Sequence, residues 1–215
     1  MKIRLYSAFA LMCSIILLTG CTTAYYSALE KFGIEKRDIL ADRVEDARDS
    51  QEDTKEQFVD ALERYRSIVN VDGGNLETVY NRLNKSFKKS EENAAEVTER
   101  INSIESVAGD LFDEWKSEIN QYSDASLKSK SQQLLAGTQK DYRKMLAAMR
   151  RAESSLDPVL SLFRDQVLYL RHNLNARAIG ALQSELGDIE TATAAAIDEM
   201  ERSIDEASQF IVSMR

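Results

Sequence analysis

The chain has 215 residues, of which 30% are charged and 43% apolar, with a net charge of −8 and a single proline. That acidic balance excludes the basic footprint a nucleic-acid binder needs and argues against a protein that lies flat on anionic lipid. With one histidine and two cysteines, a zinc site built from those residues has too few ligands, and abundant charge with few aromatics is the profile of long helices.

The first element is a leader. Lys2 and Arg4 precede an apolar run from Leu5 to Leu18, and the run ends in small residues. A charged start, a short apolar stretch and a small-residue end make a secretory signal; the run is too short for a stable membrane span. Leu18-Thr19-Gly20-Cys21 resembles the lipobox of bacterial lipoproteins, with cleavage between Gly20 and Cys21. The resemblance implies acylation of Cys21, palmitate included, and two or more acyl chains give a lasting anchor. The competing reading makes Cys21 an ordinary cysteine just past a conventional cleavage site. By the same resemblance, Thr22 in place of an aspartate favours the periplasmic face of the outer membrane. Removing residues 1–20 takes away Lys2, Arg4 and Cys13, so the net charge moves from −8 to −10 and one cysteine remains. With that cysteine acylated, packing alone must hold the fold.

Residues 21–215 are expected to form one helical domain. Four helices are predicted at about 24–69, 75–122, 126–171 (kinked near Pro158) and 176–213. The first carries a heptad seam of Leu40, Val44, Ala47, Gln51, Thr54, Phe58, Ala61, Tyr65 and Ile68. Tyr25, Tyr26 and Phe32 are candidates for an interfacial aromatic anchor; equally, Tyr26, Leu29 and Gly33 continue the heptad backwards, which favours core for Tyr26 and leaves Tyr25 open. The second seam runs through Leu76, Tyr80, Leu83, Phe87, Ser90, Ala94, Val97, Ile101, Ile104, Ala108, Leu111 and Trp115. Such repeats keep one helix face on a partner. Gly73-Gly74 with Asp72 and Asn75 marks the turn between them. A short turn forces an antiparallel pair, in which Thr54 meets Ser90 and Val44 meets Ile101.

The third run is read through Leu127, Leu134, Tyr142, Met145, Met149, Ala152, Leu156, Phe163, Val167 and Leu170, after a break at Tyr122–Ser126. The fourth follows a break at His172–Asn175. A rival arrangement ends the third helix at Asp157-Pro158, since proline lacks the helical donor. The third helix is strongly basic and its neighbours are acidic, which suits rim pairing. The fold class is therefore all-α: an elongated, antiparallel, up-down-up-down four-helix bundle of coiled-coil character.

Gln51, Thr54, Ser90, Ala94, Thr193, Ala196 and Pro158 fall near mid-length and predict a weakly packed, partly polar waist. It is either a water-bearing layer or a small ligand cavity. Catalytic signals are absent. Ser86-Phe87-Lys88-Lys89 matches Ser-x-x-Lys by coincidence, without its companion motifs. His172 lacks the Glu-x-x-His setting of diiron bundles, the residue three before it being Tyr169. The acidic run from Asp42 to Glu56 lacks calcium-loop geometry. No catalytic, metal or cofactor residue is expected.

The whole chain resembles a family of Gram-negative coiled-coil lipoproteins catalogued as a domain of unknown function. The residues that carry the resemblance are Leu18–Thr22, Phe32–Asp38, Asp157-Pro158-Val159-Leu160 and Val167–Asn175. It implies an exported helical lipoprotein and no activity. The function read from all this is a non-enzymatic, lipid-anchored envelope protein acting as an interaction scaffold on an envelope protein partner. Val71, Asp72 and His172 are its candidate distal contacts. The alternative is a periplasmic module that binds a lipid or other apolar ligand at the waist.

Overall fold

A computed structural model describes residues 35–69, 76–173 and 176–214. They form α1 (Lys36–Val69), α2 (Leu76–Ile119), α3 (Ala125–His172) and α4 (Ala176–Met214), with no strand among the described residues. At 1.5 Å per residue the helices are about 50–70 Å long.

The heptad seams account for the packing. All nine positions predicted on α1 from Leu40 to Ile68 are buried. On α2 the seam is buried from Leu83 to Ala108, while Leu76, Tyr80, Leu111 and Trp115, near its two ends, are half-buried. Each helix packs on its neighbours in chain order, and α4 closes the ring against α1. This is the up-down-up-down arrangement that short connections impose. The α1–α2 register follows the expected pairing: Gln57 Nε2 donates to the Ser86 carbonyl at 3.4 Å, and Asn93 Nδ2 to the Asp53 carbonyl at 3.4 Å.

α3 runs unbroken through the exposed Pro158 to His172, as the favoured reading of the third helix has it, and the rival end at Asp157-Pro158 is not found. One expectation for this helix is corrected. Leu127 and Leu134 are not core but 51% and 64% exposed. Stepping back from Tyr142 by four, three and four residues reaches Thr138, Leu135 and Ser131, and Leu135 and Ser131 are the buried positions. Leu134 lies eight residues from Tyr142, about 80° off the seam on a helix of 3.6 residues per turn.

The turn at 120–124 is set by Asp124, which caps α3 by accepting from the backbone N–H groups of Ser126 (2.7 Å) and Leu127 (3.0 Å). This side chain satisfies two of the donors a helix start leaves open. Charge pairing follows the basic character of α3. Arg150 bridges to Glu105 and Arg164 to Glu91 on α2; Lys144 reaches Glu206 and Arg151 reaches Glu199 on α4. These exposed pairs each contribute only about 0.2–1 kcal/mol, so they guide neighbour choice more than they hold the fold.

Candidate functional site

Three regions of the bundle differ from a plain helical core. The first is the end where α1 and α3 finish and α4 begins. Tyr65 is fully buried there, and its hydroxyl donates to the Leu182 carbonyl at 2.8 Å. Its ring meets Phe163 edge-on, with centroids 5.9 Å apart. Burial pushes the Tyr65 phenol well above its ordinary range. Gln183 Nε2 ties α4 to the last carbonyl of α1, at Val69, at 2.8 Å. The core is thus closed, but the outer face of α3 is not polar. Leu168 and Tyr169 are 50% and 39% exposed and lie four and three residues before the exposed His172. Residues at those spacings share a helix face, so the three form one outward patch. Leu168 and Tyr169 fall off the seam of Phe163, Val167 and Leu170; their position outside the heptad is the signal by which the sequence marks them. Val71 and Asp72 lie outside the described residues.

The second region is the waist. Gln51, Thr54, Ser90, Thr193 and Ala196 are essentially sealed from solvent, and Ala94 is buried. Thr54 and Ser90 donate to the carbonyls one turn back, at Ser50 (2.7 Å) and Ser86 (3.1 Å). Both amide atoms of Gln51 and the hydroxyls of Thr193 and Ser203 have no hydrogen-bond partner. An unsatisfied buried polar group costs about 1–3 kcal/mol. An apolar guest would leave that cost in place, whereas water or a polar group would relieve it. An open groove of about 330 Å³ runs beside the waist between α2 and α3, lined by Ala94, Ala95, Ser154, Leu156, Asp157 and Leu160.

The third region is the end where α2 turns into α3. Lys36, at the start of α1, pairs with Glu114 at 2.8 Å. Beyond that level α2 continues to Ile119, and α3 begins at Ala125. The indole N–H of Trp115 donates to Ser131 Oγ at 2.9 Å and ties the two together. Below them Phe112, Tyr142 and Phe210 form an aromatic layer, with centroids 5.3 and 6.2 Å apart. Burial, with the nearby Glu105 carboxylate, pushes the Tyr142 phenol up to about 12. Above the layer opens a groove of about 730 Å³, walled by Leu111 and Trp115 of α2, Leu134 of α3 and Met214 of α4. Gly20 and Cys21 lie outside the described residues.

The remaining motifs resolve into ordinary packing. Ser86 is buried with Gln57 Nε2 3.5 Å from its Oγ, and Lys89 is exposed. The acidic run of α1 is laced with cations: Arg48 takes Glu45 and Asp49, Asp46 takes Arg43 and Arg100, and Lys55 takes Glu52. Among the described residues no group of three or more His, Cys, Asp or Glu is placed to hold a metal ion, and no helix is long and apolar enough to cross a membrane.

Fold and surface thus define an all-helical, antiparallel four-helix bundle with a sealed polar waist and an open groove at one end. Residues 25–214 match the family described as a protein of unknown function, DUF2959, and the chain belongs to that family. No curated protein sequence matches it.

Proposed function

We propose that the protein is a lipid-anchored envelope protein, held by acylated Cys21 on the periplasmic face of the outer membrane, and that it works without catalysis as an interaction scaffold. The observation that carries this reading is the order of charge, apolar run and Leu18-Thr19-Gly20-Cys21 at the start of the chain. The shape supports it. A bundle of helices about 50–70 Å long carries the exposed Leu168–Tyr169–His172 patch at the end opposite the start of α1. A protein anchored before α1 presents that patch at its far tip, and exposed apolar residues beside polar ones suit a protein contact. Function has to be argued from a site, and this tip is the face best disposed for a partner.

Cys21→Ser is expected to move the protein from the membrane to the soluble fraction. Photo-crosslinkers at Tyr169 and His172 in cells are expected to capture one envelope protein from both positions. Capture of lipid, or retention of the Cys21→Ser variant in the membrane, contradicts the reading. The alternative, an apolar ligand at the waist, is disfavoured by the unpartnered Gln51 amide and the Thr193 and Ser203 hydroxyls, which such a ligand cannot satisfy.

A further inference from the structure

We propose that the seam between α1 and α4 opens locally at the waist and admits water there, while the seam between α2 and α3 stays shut at the same level. Among the described residues, the buried side-chain nitrogen and oxygen atoms that lack a hydrogen-bond partner all belong to α1 and α4. They are both amide atoms of Gln51 on α1 and the hydroxyls of Thr193 and Ser203 on α4. All three residues are sealed from solvent. A hydroxyl inside a helix can donate to the carbonyl one turn back, as Thr54 and Ser90 do, but Thr193 and Ser203 do not. The buried polar groups of α2 at this level are satisfied: Ser90 holds the Ser86 carbonyl at 3.1 Å, and Asn93 Nδ2 reaches the Asp53 carbonyl at 3.4 Å.

The register brings the unpartnered groups together. α1 and α4 run antiparallel, with the Tyr65 hydroxyl on the Leu182 carbonyl and Lys55 lying 3.7 Å from Glu201. Ala47, Gln51 and Thr54 are thereby level with the stretch of α4 that holds Ala196, Met200 and Ser203, and Thr193 follows about one turn further along. Among these side chains Met200 alone is large and apolar. Burial favours closure in proportion to the apolar area covered, so little holds the seam here, and unpartnered polar atoms favour water. The ion pair across this stretch is weak as well, since Lys55 sits closer to Glu52, at 2.7 Å, than to Glu201.

The opposite seam differs. There α2 and α3 bring Val97, Met149 and Leu156, each buried. Above and below them Arg150 donates to Asn102 at 2.8 Å and Arg164 to Glu91 at 3.0 Å. The α1–α4 seam is also closed on both sides of the waist. Toward the start of α4 it carries the Tyr65 bond, Gln183 on the Val69 carbonyl, and Arg66 on Glu190 at 2.7 Å. Toward the finish of α4, buried Leu40 and Val44 run level with buried Ala207 and Ile211. Opening is therefore confined to the middle and is a local fluctuation, not fraying from an end. The proposal rests on the bundle alone and stands whether or not Cys21 is acylated. A partner that binds the parted form more tightly than the closed one would hold the waist open.

Amide hydrogen exchange of the full chain, read peptide by peptide by mass spectrometry, tests this. Segments 47–54 and 193–203 are expected to exchange about tenfold faster or more than segments 92–99 and 147–156 at the same level. Their rates are expected to change little in low urea, as local opening requires. Combining Gln51→Leu, Thr193→Val and Ser203→Ala is expected to slow both segments toward the other two, with helicity by circular dichroism kept. Equal protection of all four segments would overturn the proposal and leave the polar atoms held by fixed water. Low protection shared by all four, or a triple variant that exchanges as fast as the unchanged chain, would overturn it too.

Discussion

The aromatic layers near the two ends of the bundle and its polar waist are all buried between the helices, yet they satisfy burial in different ways. Tyr65 brings a hydroxyl into the core and finds a carbonyl for it, that of Leu182, while its ring packs on Phe163. Phe112, Tyr142 and Phe210 fill the other layer with three rings from three helices. At the waist the side chains are as deeply buried, but Gln51, Thr193 and Ser203 keep polar atoms without protein partners. A seam position therefore decides whether a side chain leaves water. It does not decide whether the polar atoms it carries are satisfied. Stability should concentrate in the aromatic layers, and the waist should be where the bundle can be improved.

The largest expected effect is in the layer of Tyr65. Phe163→Ala removes a ring that is 1% exposed and should lower the unfolding free energy by about 3–5 kcal/mol, read by urea denaturation. A loss near that of an exposed substitution would show that the layer is not a core.

Alkaline pH probes the other layer. An unfolded tyrosine titrates near 10, and burial holds the folded Tyr142 phenol up to about 12. A raised folded value means stability that is complete below about pH 10 and lost as pH rises toward about 12. Burial of Tyr65 works in the same direction. Melting temperature followed across pH 9–12 should be flat and then fall, and Tyr142→Phe should flatten the fall.

At the waist the sign reverses. Gln51→Leu removes two unsatisfied atoms and should raise stability by about 1–3 kcal/mol, read as a higher melting temperature. A clear loss instead would mean that the amide is held by bound water that leucine cannot replace. The smallest effect is Tyr65→Phe. It deletes only the bond to the Leu182 carbonyl and should cost about 1 kcal/mol.

Much of the fold was legible in the residues. The α1 seam reads directly because its apolar positions keep one phase from Leu40 to Ile68, and Gln51 and Thr54 fall in that phase despite their polarity. The third helix was harder, because Leu127 and Leu134 are leucines at heptad spacing in the wrong phase, while the buried position one turn before Leu135 is a serine, Ser131. Apolarity and phase conflict there, and phase wins. Continuity through Pro158 was the favoured reading, but a proline that starts a helix and one inside a helix look alike in sequence, so the end at Asp157-Pro158 stayed open as a rival until the fold was known. The patch at Leu168, Tyr169 and His172 was half legible: His172 was marked by the break that follows it, and its apolar neighbours emerge only once the seam is fixed.

The anchoring account rests on Cys21, and the intact mass of the chain extracted from membranes tests it most directly. The account predicts a polypeptide that begins at Cys21 and carries the added mass of a diacylglyceryl group and an amide-linked acyl chain, all of it lost in Cys21→Ser. A chain that keeps residues 1–20, or one cut elsewhere with an unmodified Cys21, would contradict it.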